Sequence, residues 1–490
     1  MKLKDLIADL RVRSTSGDIN VDVTGITYDS RQVVPGDLFV AIQGFKTDGG
    51  KFTSQAVKSG AVAVVCREKI KNRTIPQVIV EDPRQALALL SNRLYDFPSR
   101  KLKLIGVTGT NGKTTICYLL EHILRSAGLN AGIIGTVETR IAGQSSQSKM
   151  TTPESSDLQK IFVKMLKLGV SHVVMEVSSH SLALDRVLGV DFDTAIMTNL
   201  THDHLDFHKT MEEYFKAKLK LFYGLGRGTK KEVVGIINND DPYAKKILDV
   251  LDGRGLTYGM GKGADLIAKD VKYDLSGMGF SIARDDVSLG IKTGLIGVPN
   301  VYNILASIMA AESLDLDVEE IRKAIESFPG APGRYERVEA GQPFPVVVDF
   351  AHSPDSLQKL IETYRPLVKG KIIIVFGCPG DRDRDKRPIM GEIAVRLADR
   401  VIISTDDPHS EDPGKIIEEI EKGVKGKGSE VKGKYEKILD RREAITKALS
   451  LAGKDDIVLI AGRGHEKYQD FNGEKVEIDD REVVKKLLAS

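Results

Sequence analysis

The run KLIGVTGTNGKTTICYLLEHILRSAG, residues 103–128, constrains this chain more than any other stretch. An apolar strand runs into a glycine turn and then into a helical stretch. Glycines let backbone N–H groups turn toward oxyanions, and the start of the helix adds a dipole that favours negative charge. The strict phosphate loop G-x-x-x-x-G-K-[ST] would need glycine at position 107, which is Val107; Gly106 and Gly109 flank it instead. The physical content survives in this shorter variant: Lys113 would reach terminal phosphates and Thr114 would offer a hydroxyl to Mg²⁺. The competing reading is a glycine turn carrying a surface lysine. A phosphate loop alone does not separate a switch GTPase, a motor and a kinase-like enzyme.

Around this run, short apolar segments alternate with helical ones. KLIGVTG, AGIIGT, HVVMEVS, TAIMTNL and VVGIINND read as strands, an alternation that predicts α/β architecture with a doubly wound parallel sheet. Three units are expected: residues 1–98, smaller, mixed α/β, ending before the linker DFPSRKLK; residues 99–330, with the ATPase-like parallel sheet; and residues 331–490, Rossmann-like, after the hinge FPGAPGR. Between about residues 255 and 298 the segments become short and glycine-punctuated, predicting a β appendage on the central unit. The opening MKLKDLIADLRVRS reads as a short amphipathic helix, not a signal peptide, since Asp5 and Asp9 interrupt any apolar core. Informative polar residues cluster just past strand ends, where open α/β sheets bind ligands.

Composition narrows the function classes. The 71 Lys+Arg against 69 Asp+Glu leave no basic excess for a nucleic-acid surface. The three cysteines stand singly, without metal-ligand spacing, which favours a reducing compartment. No apolar run approaches the roughly 18 residues of a membrane span. A soluble, cytoplasmic, monomeric protein with no nucleic-acid or membrane partner is expected.

Four further stretches carry chemistry. VMEVSSH places Glu176 at a strand end, suited to holding a metal, although Ser178 and Ser179 would serve equally as a helix N-cap. TNLTHDHLDFH gathers His202, His204 and His208 with Asp203 and Asp206; zinc is one reading, but no cysteine accompanies them. Arg334 follows the hinge, placed to reach a nucleotide in the neighbouring unit or to pair with a surface acid. VVVDFAHSPDSL puts Asp349 and His352 past a strand, as ligands for ribose or phosphate or as a helix cap.

GTNGKTT, TTPES, MEVSSH, TNLTHDHLDFH, PGRYERV, DFAHSPDSL, GCPGDRDRDKRP, DDPHSEDP and AGRGHEKYQ occur in this order. Together with YDSRQVVPGDLFVAIQGFKTDGGKF near the N-terminus, they resemble the Mur ligases of peptidoglycan precursor synthesis, of the MurE type, over essentially the whole chain. The resemblance implies ATP-dependent amide formation with Mg²⁺. A carboxylate of a UDP-MurNAc-dipeptide takes a phosphoryl group, and the amine of a free amino acid displaces phosphate. It implies nucleotide contacts at Gly109, Thr110, Asn111, Gly112, Lys113, Thr114 and Thr115, with Asn303, Arg334 and Asp349. It places Ser30 in a UDP-binding unit and Thr151, Thr152, Ser178 and Arg186 on the UDP-MurNAc-dipeptide. The family often has Gln two residues before that arginine, where this chain has Leu184. Thr114, Glu176, His204 and Lys218 would hold metal, Lys218 as a carbamate, while a plain helix-surface lysine is the alternative. Lys113, Lys218 and His204 are the implied catalytic residues.

The third unit would choose the amine. Family members that add meso-diaminopimelate carry Asp-Asn-Pro-Arg, where this chain has Asp406, Asp407, Pro408 and His409. Losing that arginine and gaining an anion disfavours a far carboxylate and favours a far ammonium, so lysine is expected. Arg382 would grip the α-carboxylate, with Arg384 as a substitute; Gly462 and Glu466 would surround the side-chain end. The same ligase using meso-diaminopimelate, a folylpolyglutamate synthase, and a nucleotide-gated switch without ligase activity are the alternatives. The last would hydrolyse ATP without a sugar-peptide.

Overall fold

The computed structural model describes residues 1–44, 47–71, 75–284, 287–426 and 433–489, with 287 described by its backbone alone. Phe45 and Lys46, inside the N-terminal motif, therefore lie outside the described residues. No helix among those described is long and apolar enough to cross a membrane.

Three sheets follow one another along the chain, with a small hairpin near the C-terminus. The first has five strands, parallel except for Val12–Ser16, which pairs antiparallel with Gln77–Val80. The expected N-terminal amphipathic helix shrinks to one turn, Leu3–Leu6. Leu3, Leu6 and Ile7 already fill the available core, and the chain beyond them is drawn into the sheet edge.

The central sheet has eleven strands. Its parallel middle is Arg254–Gly259, Val234–Asn238, Thr194–Met197, Lys103–Thr108, His172–Glu176 and Ala131–Ile134 in spatial order. Alternate residues of Lys103–Thr108 bury on opposite faces. Ile105 and Val107 pack with the helices Lys113–Ser126 and Val298–Glu312, while Leu104 packs with Ser155–Lys167 and Met211–Gly224. Gly106 shares the face of Leu104, where a Cβ would meet the Phe192 ring at 2.8 Å.

The glycine-punctuated segment forms the expected β appendage as an extension of the central sheet. Leu266–Asp274 pairs parallel with Arg254–Gly259 and continues into the antiparallel strands Gly277–Arg284 and Val287–Thr293, so the appendage is the sheet's own edge. At the other edge, Glu138–Ile141 and Gln144–Gln147 add a hairpin that the apolar pattern did not announce, since Gln144–Gln147 is fully exposed.

The third sheet has six strands, with Val346–Asp349, Ile457–Ala461, Ile372–Phe376 and Arg400–Ile403 parallel at its centre. These strands are buried on both faces and read as unbroken apolar runs. The C-terminal strand ends of the second and third sheets face a common cleft, which holds the polar clusters singled out in the sequence.

Candidate active site

The phosphate loop is held from two sides. Gly109 (φ +140°) and Gly112 (φ +91°) adopt backbone angles that side chains resist. A Cβ at Gly109 would fall 1.8 Å from the Thr198 hydroxyl, and one at Gly112 2.4 Å from Asn303 Oδ1. Asn199 Oδ1 accepts from the Asn111 amide at 3.1 Å. The helix Lys113–Ser126 begins at the end of this loop, so its free N–H groups open into the cleft.

Two lysines converge on one carbonyl. Lys113 Nζ donates to Gly109 O (2.9 Å) and Thr110 O (2.8 Å), and Lys218 Nζ donates to the same Gly109 O at 2.7 Å. Lys218 is buried over the Tyr214 ring and is no helix-surface lysine. Burial pushes both ammonium groups below the usual lysine range, and Lys113 pushes Lys218 down further. The Thr114 hydroxyl donates to Glu176 Oε1 (3.0 Å) and accepts from Arg334 Nη2 (3.1 Å). Glu176 also accepts from the Thr136 backbone and hydroxyl. Donor-rich loop, clustered cations, hydroxyl and carboxylate together fit a nucleotide triphosphate with its magnesium.

The third sheet closes over this loop. Arg334 stacks on Phe350, Asn111 Nδ2 donates to Asp355 Oδ2 at 2.9 Å, and Asp349 Oδ2 accepts from the Tyr335 amide. Burial raises the Asp349 carboxyl to about 6, against the pull of Arg334. A cavity of about 980 Å³ runs through the cleft. Residues 109–115, Thr151, Glu176, Ser178, His204, Lys218, Asn303, Arg334, Asp349 and Arg382 all line it.

The histidines do not act as one group. His204, in a left-handed conformation (φ +55°), faces the cavity beside Asp203. His208 meets the Ser179 hydroxyl at 2.9 Å, and His202 reaches across to Asp383 at 3.7 Å. Burial lowers His204 to about 4, helped by Lys218 and Lys113, so its imidazole is neutral at pH 7. Among the described residues, no group of three close metal-ligating atoms includes a histidine, which leaves the zinc reading without support.

Ser30, Thr152 and Arg186 line neither this cavity nor the smaller pocket that adjoins it. Ser30 donates to Gln55 within the first unit. Thr152 Oγ1 donates to Glu176 O, and Arg186 donates to Glu154 and to Thr152 O. Glu154 also accepts from Arg84 of the first unit, so one carboxylate ties the two units together. Ser178 does cap the helix Ser179–Ala183, accepting from the Ser181 amide, and lines the cavity as well.

A second pocket of about 180 Å³ joins the large cavity along Asp203, His204, Phe350, His352 and Arg382. Oxygens of Asp406, Asp407 and Glu466 lie within 4.8 Å of one another in it. Beneath them, fully buried Arg463 places Nη1 3.0 Å from Asp407 and 3.7 Å from Glu466. Asp406 Oδ2 is buried without a hydrogen-bond partner. Burial, reinforced by Asp406 and Asp407, pushes the Glu466 carboxyl up to about 8. Gly462 (φ +111°) passes so close that a Cβ would sit 2.3 Å from Asp406 Oδ2. Such a pocket is built to receive a cation. His409 lies at its edge, 3.7 Å from Asp470. Arg384, the expected substitute for Arg382, pairs with Glu419 and does not line the pocket.

Three family models match in order: "Mur ligase family, catalytic domain" at residues 22–95, "Mur ligase middle domain" at 107–311 and "Mur ligase, glutamate ligase domain" at 333–464. The chain belongs to the Mur ligase family. Such a ligase couples ATP to bond formation. A relative from Caldanaerobacter subterraneus subsp. tengcongensis is 44% identical over 490 residues, covering 100% of this chain and 99% of its own. One from Bacillus licheniformis is 44% identical over 491 residues, with the same coverage. Both are named UDP-N-acetylmuramoyl-L-alanyl-D-glutamate--2,6-diaminopimelate ligase, as is a solved structure of 30% identity and TM-score 0.69, covering 100% of this chain and 98% of its own. These names point away from the lysine expected from His409. The fold alone is shared with Thermotoga maritima MurF in complex with ADP (22% identity, TM-score 0.62, covering 90% and 94%).

Several cleft residues of this Mur ligase had no role in the sequence reading. Asn199, Tyr214, Phe350, Lys386 and Arg463 each touch the loop or a pocket. Lys386 stands inside GCPGDRDRDKRP and Arg463 inside AGRGHEKYQ, where the motif alone does not show that either cation is buried.

Proposed function

We propose that this Mur ligase joins the amino group of a free diamino acid to the D-glutamate carboxylate of UDP-N-acetylmuramoyl-L-alanyl-D-glutamate. The observation that carries this reading is the shared wall of the two cavities: a phosphate-binding cleft opens directly onto a pocket floored by three carboxylates. ATP with its magnesium supplies the phosphoryl group that makes the carboxylate an electrophile.

The chain's own residues do the rest. Lys113, the loop amides and Arg334 neutralise phosphate charge, and Asn303 and Asp349 wall the nucleotide from the hinge side. Thr114, Glu176 and His204 offer oxygen and nitrogen ligands to magnesium. Burial of Lys218 favours its neutral amine, the form that takes up CO₂, and the resulting carbamate would add an anion to that shell. Thr151 and Ser178 present the sugar-peptide from the cavity wall, with Ser30 on the UDP side, while Thr152, which is buried, and Arg186 brace that wall through Glu176 O and Glu154. Arg382 holds the amino acid's α-carboxylate where both cavities meet, while Asp406, Asp407, Gly462 and Glu466 take the distal ammonium. Holding amine and acyl carbon together removes the entropic cost of their encounter. Residues 1–98, 99–330 and 331–490 are thereby the nucleotide-sugar, ATP and amino-acid units.

2,6-Diaminopimelate is the amine favoured by the relatives, while lysine is the second reading, favoured by His409 in place of an arginine. Purified protein with ATP and Mg²⁺ should release phosphate only when sugar-dipeptide and diamino acid are both present. ATP consumption indifferent to both would leave a nucleotide-gated ATPase and end the ligase reading. A panel of diaminopimelate, lysine and ornithine in the same assay decides the amine.

A further inference from the structure

Four basic side chains cluster in the stretch 382–387 besides the acids between them, and they divide in two. Arg384 is paired with Glu419; Arg387 is fully buried and paired with Glu411 and Glu419. Arg382 and Lys386 instead face the amine pocket. Lys386 opens the helix Lys386–Leu397 and is only 4% exposed. Among the described residues its ammonium has no hydrogen-bond or ion-pair partner, yet it is not sealed in the core: it lines the pocket with Asp203, His204 and His352. An ammonium at a pocket wall with no direct partner is placed to take an anionic group of a ligand.

Its position indicates which ligand. The three carboxylates Asp406, Asp407 and Glu466 occupy the part of the pocket away from the large cavity; Arg382, Asp203, His204 and His352 are shared with that cavity. Lys386 lines the pocket beside that shared part. A diamino acid laid with its distal ammonium on the acids therefore brings its α-carboxylate to the cations. We infer that Lys386 is a second substrate-binding cation for the ligation, gripping the α-carboxylate of the incoming amino acid together with Arg382 and so aiming its α-amine at the large cavity. This rests on the ligase reading above.

The test compares Lys386→Gln and Lys386→Arg with wild-type enzyme. It uses whichever of diaminopimelate and lysine the wild type prefers, and the α-carboxamide of that amino acid. Loss of one charge-assisted contact should raise the KM for the amino acid about 10- to 100-fold in Lys386→Gln. The KM values for ATP and sugar-peptide and the unfolding temperature should stay unchanged, and Lys386→Arg should recover part of the loss. The carboxamide, lacking the anion, should lose little further on substitution. An equal loss for acid and carboxamide, or a rise in the KM for ATP, would overturn the inference while leaving the ligase reading intact. A wild type indifferent to amino acid would overturn the ligase reading itself.

Discussion

The phosphate loop and the amine pocket share one cleft but are built on opposite principles. At the loop, cations are gathered and desolvated with few anions: Lys113, Lys218 and Arg334 surround Gly109 and Thr114. At the far end of the pocket, the carboxyl groups of Asp406, Asp407 and Glu466 are gathered over the buried Arg463 guanidinium, with Arg382 and Lys386 toward the shared wall. On the proposed function, the first half takes polyphosphate and the second an ammonium. The lesson is that charge imbalance at each half defines what it binds, while the seam between them, where Asp203 and His204 stand, defines where the two ligands meet.

The largest effect should come from breaking the cationic half. Lys113→Ala should lower phosphate release on the order of a thousandfold, because Lys113 alone spans Gly109 O and Thr110 O at the loop while Lys218 reaches only Gly109 O. Lys218→Ala should fall with it, and intact mass should show a carbamate on wild-type Lys218. Retained turnover in Lys113→Ala would mean that the loop does not carry the phosphates.

The anionic half should respond more mildly and through pH. Glu466 must be ionised to receive an ammonium, and in the free protein it holds its proton up to about pH 8. Amine binding therefore releases a proton below that pH, so the KM for the diamino acid should fall as pH rises from 6 to 8 and flatten above. Glu466→Gln should erase that slope and raise the KM about 10- to 100-fold at pH 8.5. The sign for stability is the reverse. Glu466's folded-state value lies above its ordinary 4.5, so its contribution is complete below 4.5 and is lost as pH climbs through 8. The unliganded protein should melt at a lower temperature at pH 8.5 than at pH 5.5 on this group's account. A pH-independent KM would separate Glu466 from the amine.

The smallest effect sharpens the choice of amine. His409→Arg should shift the ratio of rates toward diaminopimelate by about tenfold, since a guanidinium binds a far carboxylate in two-pronged fashion. An unchanged ratio would mean that position 409 does not read that end.

The two halves also differ in how far the sequence exposes them. The strand–glycine–helix run sets the phosphate loop locally: Gly109, Gly112, Lys113 and Thr114 lie within six residues, and backbone geometry alone turns them toward one point. The parallel strands were likewise legible, because strands buried on both faces are unbroken apolar runs. The hairpin Glu138–Gln147 was not, since Gln144–Gln147 buries nothing and follows its neighbour's hydrogen bonds alone.

The sequence by itself determined the element order, the loop that takes phosphate and the residue types brought to each strand end, because these follow from periodicity and local backbone chemistry. Only the tertiary structure decided that Lys113 and Lys218 share one carbonyl across 105 positions of chain, a separation read from their numbers. It also decided that Arg384 turns away to Glu419 while Lys386 turns in, and that Arg334, just ahead of the third sheet, meets Thr114 on the helix after the phosphate loop. The physical reason is that desolvation and Coulomb energy depend on distance in space, which a one-dimensional pattern does not contain.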